Sequence, residues 1–290
     1  LAAAATAHAL APGDLSIIGF RADANDGMAV AFWANVPPGE VIHFTDGGWS
    51  NGAPGEIRGG ENFASWTAPG GGLPAGSVVV FQFPSGSGIV DAGSLVGQLD
   101  GLSASGDQIL AYQGPSNAPS LLFVFDMNGA NTGFEAAGTA IDPNQSMLPT
   151  DLTATGHHLA VSHIDNGQYT GPRTGSVAAL RLAVLDTNLW TFNNDGALFG
   201  NLDSTDFTLA GGAPPALTPL SPVTAAVGST IGFLVTATPT DGDPVTLTPS
   251  NLPAGAVSGA TNEIDAFLWT HAGPANVYNL SFYATDQHGT

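Results

Sequence analysis

The sequence predicts an all-β protein made of two β-sandwich domains in tandem, and three observations predict it. Short runs rich in Val, Ile, Phe and Tyr are broken throughout the 290 residues by turn formers, with 39 Gly and 21 Pro among them, which is the spacing of strands and tight turns. Helical periodicity is confined to Ser176–Leu185, where Val177, Leu180, Arg181 and Val184 fall on one face. The composition shifts at Gly211-Gly212-Ala213-Pro214-Pro215, after which Thr, Val and Pro dominate and Arg is absent.

Taken in order, residues 1–11 form an alanine-rich extension. Its Ala7-His8-Ala9 fits the small-x-small pattern at which export signals are cut, so an exported, extracellular or cell-surface protein is expected. Residues 12–210 carry the first sandwich. Strands are predicted at Asp14–Phe20, Met28–Asn35, Val41–Thr45, Ser77–Phe83, Gln108–Gln113 and Leu121–Phe125. In the second of these, Met28, Val30 and Phe32 alternate with Ala29, Ala31 and Trp33, so both faces are apolar and the strand should be covered on both sides. After a linker at 211–215, residues 216–290 form the second sandwich. There Ile231, Phe233 and Val235, and later Tyr278, Leu280 and Phe282, alternate with smaller or polar residues, as half-buried strands do.

Charge sets the classes of partner. Four Arg and no Lys stand against 19 Asp and 5 Glu, a net charge of −20. Nucleic acid is excluded, because phosphate backbones are held by clustered Lys and Arg, and so is docking on an anionic membrane surface. No apolar run approaches the roughly 20 residues of a membrane span. The absence of Cys removes disulfides, thiolate metal sites and thiol nucleophiles. No G-x-S-x-G elbow, P-loop or dinucleotide fingerprint occurs, and the expectation is a protein without catalysis.

Two kinds of binding residue stand out. Asp23, Asn25 and Asp26 in one turn, Asn193-Asn194-Asp195 in another, and Asp241 and Asp243 with Asp286 group the hard oxygen ligands that calcium takes in sixes to eights; Asp and Asn beside Gly are also ordinary turn formers. Trp49 follows a glycine turn and precedes Ser50 and Asn51, which makes it the candidate for an exposed ring stacking on a glycan. His157 and His163 fall on one face of a strand predicted at Gly156–Ile164, but six residues span roughly 20 Å and cannot share one metal.

The segments Val227-Gly228-Ser229-Thr230, Ala237-Thr238-Pro239-Thr240-Asp241-Gly242-Asp243, Ser250-Asn251-Leu252-Pro253-Ala254-Gly255, Phe267-Leu268-Trp269-Thr270 and Ala284-Thr285-Asp286 make residues 213–290 resemble the Ig-like and cadherin-like repeats of bacterial surface proteins. The segments Asp14-Leu15-Ser16-Ile17-Ile18-Gly19-Phe20, Ile42-His43-Phe44-Thr45-Asp46-Gly47-Gly48-Trp49, Leu73-Pro74-Ala75-Gly76-Ser77 and Leu102-Ser103-Ala104-Ser105-Gly106-Asp107 make residues 12–210 resemble a lamin-tail-like sandwich of exported bacterial proteins. Together the resemblances imply a structural or adhesive role, with a glycan- or calcium-dependent binding module or the accessory region of a secreted nuclease as alternatives. The Ig-like repeats usually carry a final strand after the Ala-Thr-Asp segment, which here lies at the end of the sequence. Either further chain supplies that strand, or the N-terminal arm of a neighbouring subunit does, joining like subunits into a fibre or surface layer.

Overall fold

The structure is a computed structural model, and it describes the chain apart from residues 1–9, 24, 51–54, 59–60, 85–87, 100, 128–132, 136–144, 155, 196–199, 211–214, 240–244, 262 and 286–290. The chain divides into two units, Leu1–Gly175 with Ala179–Leu209, and Ser176–Ala178 with Ala210–Thr290.

In the first unit the chain runs β1 (Leu15–Arg21), β2 (Asp26–Phe32), β3 (Val41–Thr45), β4 (Trp49–Ser50), β5 (Glu56–Ile57), β6 (Phe63–Thr67), β7 (Val78–Phe83) and β8 (Ile89–Val90). It continues through β9 (Ser94–Gly97), β10 (Gln108–Gln113), β11 (Ser120–Asp126), β12 (His158–Ala160), β13 (Asn166–Tyr169), β14 (Thr174–Gly175), α1 (Val177–Leu185), β15 (Trp190–Asn193) and β16 (Thr208–Leu209). Two six-stranded sheets result, ordered β15-β13-β1-β2-β7-β8 and β12-β11-β10-β3-β6-β9. Pairing in both is antiparallel except for β11 with β12.

The core lies between these sheets. Phe20 of β1 meets Phe125 of β11 at 4.9 Å between ring centroids, Phe32 of β2 stacks on Trp66 of β6 at 5.3 Å, and Phe44 of β3 meets Phe81 of β7 at 5.1 Å. All six rings are buried. The outer faces are covered too. On the first sheet Trp33 packs edge-on against Phe207 at 4.8 Å, and the Arg173 guanidinium lies 4.7 Å above that ring. On the second, Trp49, Met147 and Leu152 cover Leu110, Tyr112 and Val124. That double cover is why β1, β2 and β10 read as unbroken apolar runs. The predicted helix is α1, with Val177, Leu180 and Val184 buried and Arg181 bonded to Asp14 at 3.0 Å.

In the second unit β17 (Ala216–Leu217), β18 (Ile231–Thr238), β20 (Ala256–Thr261) and β21 (Ile264–Trp269) form one sheet, ordered β17-β18-β21-β20. β19 (Thr246–Ser250) and β22 (Ser281–Thr285) form a second, antiparallel pair. The architecture is all-β and of sandwich type, as the sequence predicts.

Candidate interaction site

An apolar groove lies over β18 and β21. Alternation along β18 sends Ile231, Phe233 and Val235 to one face, and along β21 sends Asp265, Phe267 and Trp269 to the same face. Register sets Phe233 opposite Phe267 and Ile231 opposite Trp269, and the two phenylalanine rings stack 4.6 Å apart. Residues 276–280 and β22 make one wall, where Tyr278 sets its ring edge-on to Trp269 at 4.8 Å and Phe282 approaches Phe233 at 6.1 Å. Residues 220–227 line the other side. Between them lies a groove of about 810 Å³, and none of its lining residues is charged.

This groove is an unfinished core. Ile231, Phe233, Tyr278, Leu280 and Phe282 are only half-buried, whereas their counterparts between the sheets of the first unit are closed off from solvent. Eleven of the sixteen exposed large apolar side chains among the described residues belong to the second unit, Val223, Val227 and Val277 on the groove walls among them. An apolar concentration of this kind marks a place where something docks. Beside the groove, β22 pairs with β19 on one edge, and no strand among the described residues pairs with its other edge. Such an edge presents backbone donors and acceptors ready to take a further strand. The sequence predicts a strand through Tyr278 and Leu280, yet the strand begins only at Ser281; alternation is present, but no ladder among the described residues reaches 276–280.

Among the described residues no group of three acids or histidines gathers around the calcium candidates. In the turn after β1 the guanidinium of Arg21 takes the cation's place: Nε donates to the Asn25 carbonyl at 2.5 Å and a terminal nitrogen donates to Gly200 O at 2.9 Å. Asp26 Oδ2 accepts from the Gly101 and Leu102 amides at 2.5 and 3.1 Å, and Asp23 stands apart from any set of three acids, since no such metal-holding group exists among the described residues. Of the oxygens expected to hold calcium here, the Asn25 carbonyl is taken by Arg21 and the Asp26 carboxylate by backbone amides. Asn193 and Asn194 likewise serve turns, accepting from the Asp195 and Asp165 amides. Asp241, Asp243 and Asp286 lie outside the described residues.

Trp49 is a second correction. It is 9% exposed and packs with Ile57, Leu110 and Met147, and Gly55 lies so close to its ring that an added Cβ would come within 2.5 Å. Its ring offers no free face to a sugar. Trp33, Trp66, Trp190 and Trp269 are buried as well.

The histidines are separate. β12 stops at Ala160, short of the predicted Ile164, at the residue paired with the last residue of β11, and the Val161 amide closes the ladder on the Asp126 carbonyl. His158 Nδ1 lies 2.6 Å from Leu152 O, and His163 Nε2 lies 2.6 Å from Ala104 O and 3.5 Å from Asp165.

Asp46, Asp107, Asp126 and Asp265 are buried acids that the sequence did not single out. Asp46 accepts from the Asn62 amide and side chain at 2.7 and 3.1 Å. Asp107 accepts from the Ser103 amide at 2.8 Å, and from the Gln108 amide and side chain, each at 2.9 Å. Burial pushes Asp46 up to about 6 and Asp107 up to about 8, against the pull of these donors, with the charge of Glu61 raising both. Asp265 is fully buried beside Phe267 on the inward face of β21; its Oδ2 accepts from Ser258 Oγ at 2.5 Å, and its Oδ1 has no hydrogen-bond partner. Only its place in the alternation Asp265, Phe267, Trp269 signals this.

No family model, curated protein or solved structure matches the chain. No helix among the described residues is long and apolar enough to cross a membrane.

Proposed function

We propose that the protein is a non-catalytic, extracellular structural or adhesive subunit that associates with like subunits through its second unit. The carrying observation is the uncharged groove along β18, β21 and β22, next to a sheet edge without a strand among the described residues. In a chain of net charge −20, most pairs of surfaces bring acids against acids; this one does not. The burial of all five tryptophans weighs against a glycan platform of stacked indoles.

The test is negative-stain electron microscopy of the concentrated 290-residue chain. Regular filaments or lattices are expected. A field of isolated, uniform single particles at every concentration overturns the proposal.

A further inference from the structure

We infer that His157 is an acid-sensitive latch on α1: an imidazolium at this position sets a second cation beside Arg181, weakens its pairing with Asp14 and frees the helix.

Helix α1 depends on contacts outside itself. Its nine residues carry no acid in the first turn and no base in the last, and isolated helices shorter than about 12 residues are marginal in water. What fixes it is docking. Val177, Leu180 and Val184 are buried, the Val184 carbonyl accepts from Trp190 Nε1 at 2.8 Å, and Arg181 Nη2 donates to Asp14 Oδ1 at 3.0 Å. Asp14 is itself anchored just before β1, since its Oδ2 accepts from the Ala11 amide at 2.7 Å. The ion pair thus ties the helix to the start of the first sheet. Its two side chains are only 21% and 19% exposed, so water and salt screen it less than a pair on the open surface.

His157 stands at this pair. Its ring lies so close over Gly13 that a Cβ there would collide with it. Its backbone is held on both sides, the carbonyl accepting from the Val124 amide and the amide donating to the Ala154 carbonyl, each at 3.3 Å. The ring is therefore not free to swing away. Its Nδ1 is closed off from solvent and has no hydrogen-bond partner, so a proton there is a buried donor without an acceptor. Burial first, then the charges of Arg181 and His158, hold His157 below the ordinary histidine range, and of the neighbouring charges Asp14 alone pulls the other way. The neutral imidazole is thus the form the fold prefers. The stability it contributes is fully present above the unfolded value near 6.5 and is lost as pH falls from there through the lower folded value. Because the new charge meets the docking pair of α1 rather than the rings packed between the sheets, the helix should open before the sheets do.

Amide hydrogen exchange of the 290-residue chain tests this, with protection taken relative to the intrinsic rate at each pH. Protection across α1 should fall by up to about thirtyfold between about pH 7.5 and about pH 5, the ceiling for one histidine of ordinary pKa near 6.5, while β2 and β7 keep theirs. His157→Gln should abolish the step. Arg181→Met should lower the protection of α1 already at about pH 7.5 and shrink the step, because the remaining charge of Asp14 favours the imidazolium. Equal protection of α1 at both pH values overturns the inference, and so does a step as large in His157→Gln as in the parent. The parent alone decides the case if that variant does not fold: protection lost in α1 only together with β2 and β7 is general unfolding and also overturns it.

Discussion

Asp107 sits at the start of β10 with three N–H donors on its carboxylate and almost no solvent. Asp46, equally buried, shares the surroundings: Gln108 Nε2 donates both to Asp107 Oδ1 and to the Asp46 carbonyl. Both carboxyls hold their proton more tightly in the folded protein than unfolded. The stability they contribute is therefore complete below the ordinary aspartate range near 4 and is lost as pH rises through about 6 for Asp46 and about 8 for Asp107. The melting temperature should fall between about pH 4 and 8, and Asp107→Asn should flatten the upper part of that fall. A variant whose melting curve drops as steeply as the parent's above about pH 7 contradicts the assignment. None of this is legible in the sequence, where Asp46-Gly47-Gly48 reads as a plain turn. Trp49 shows the same limit. Its chain neighbours Ser50 and Asn51 are polar, but the segment that closes over it arrives from far along the chain, with Ser146 Oγ accepting from the Trp49 amide at 2.9 Å. Trp33 and Trp269 were readable as core because their own strands are apolar.

Elements were more legible than residues, since alternation and turn chemistry are local. The strands predicted between Asp14 and Phe125 and the single helix all appear, shifted by up to three residues at their ends. Elements failed to extend where pairing, not propensity, decides: β12 ends where its parallel partner β11 ends, and residues 276–280 lack a ladder. The turn between β1 and β2 shows a cation-like role filled by the chain itself. Arg21 is buried and bonds the Asn25 and Gly200 carbonyls, so Arg21→Met should lower stability by about 1–3 kcal/mol, the loss of hydrogen bonds to a charged group. Urea unfolding measures this, and an unchanged midpoint would show that the turn does not depend on the guanidinium.

Across the whole molecule, charge and apolar exposure divide unevenly. Up to Gly212 the chain holds 15 Asp and 4 Glu against 4 Arg, a net −15; after it, 4 Asp and 1 Glu leave −5. The second unit thus combines the lower charge with most of the exposed large apolar side chains. Lysine, which often guards exposed sheet edges, is absent from the chain. The sequence told the fold class and the shortage of charge, but not where they meet, because the groove exists only once β18, β21 and β22 are brought together. The central claim is that this meeting place joins like subunits. It is tested most directly by the mass of the 290-residue chain in solution, followed by light scattering across a concentration series. Mass that climbs above that of a single chain as concentration rises is the result predicted for a contact between like subunits. A single-chain mass of 29.1 kDa at every concentration would contradict it.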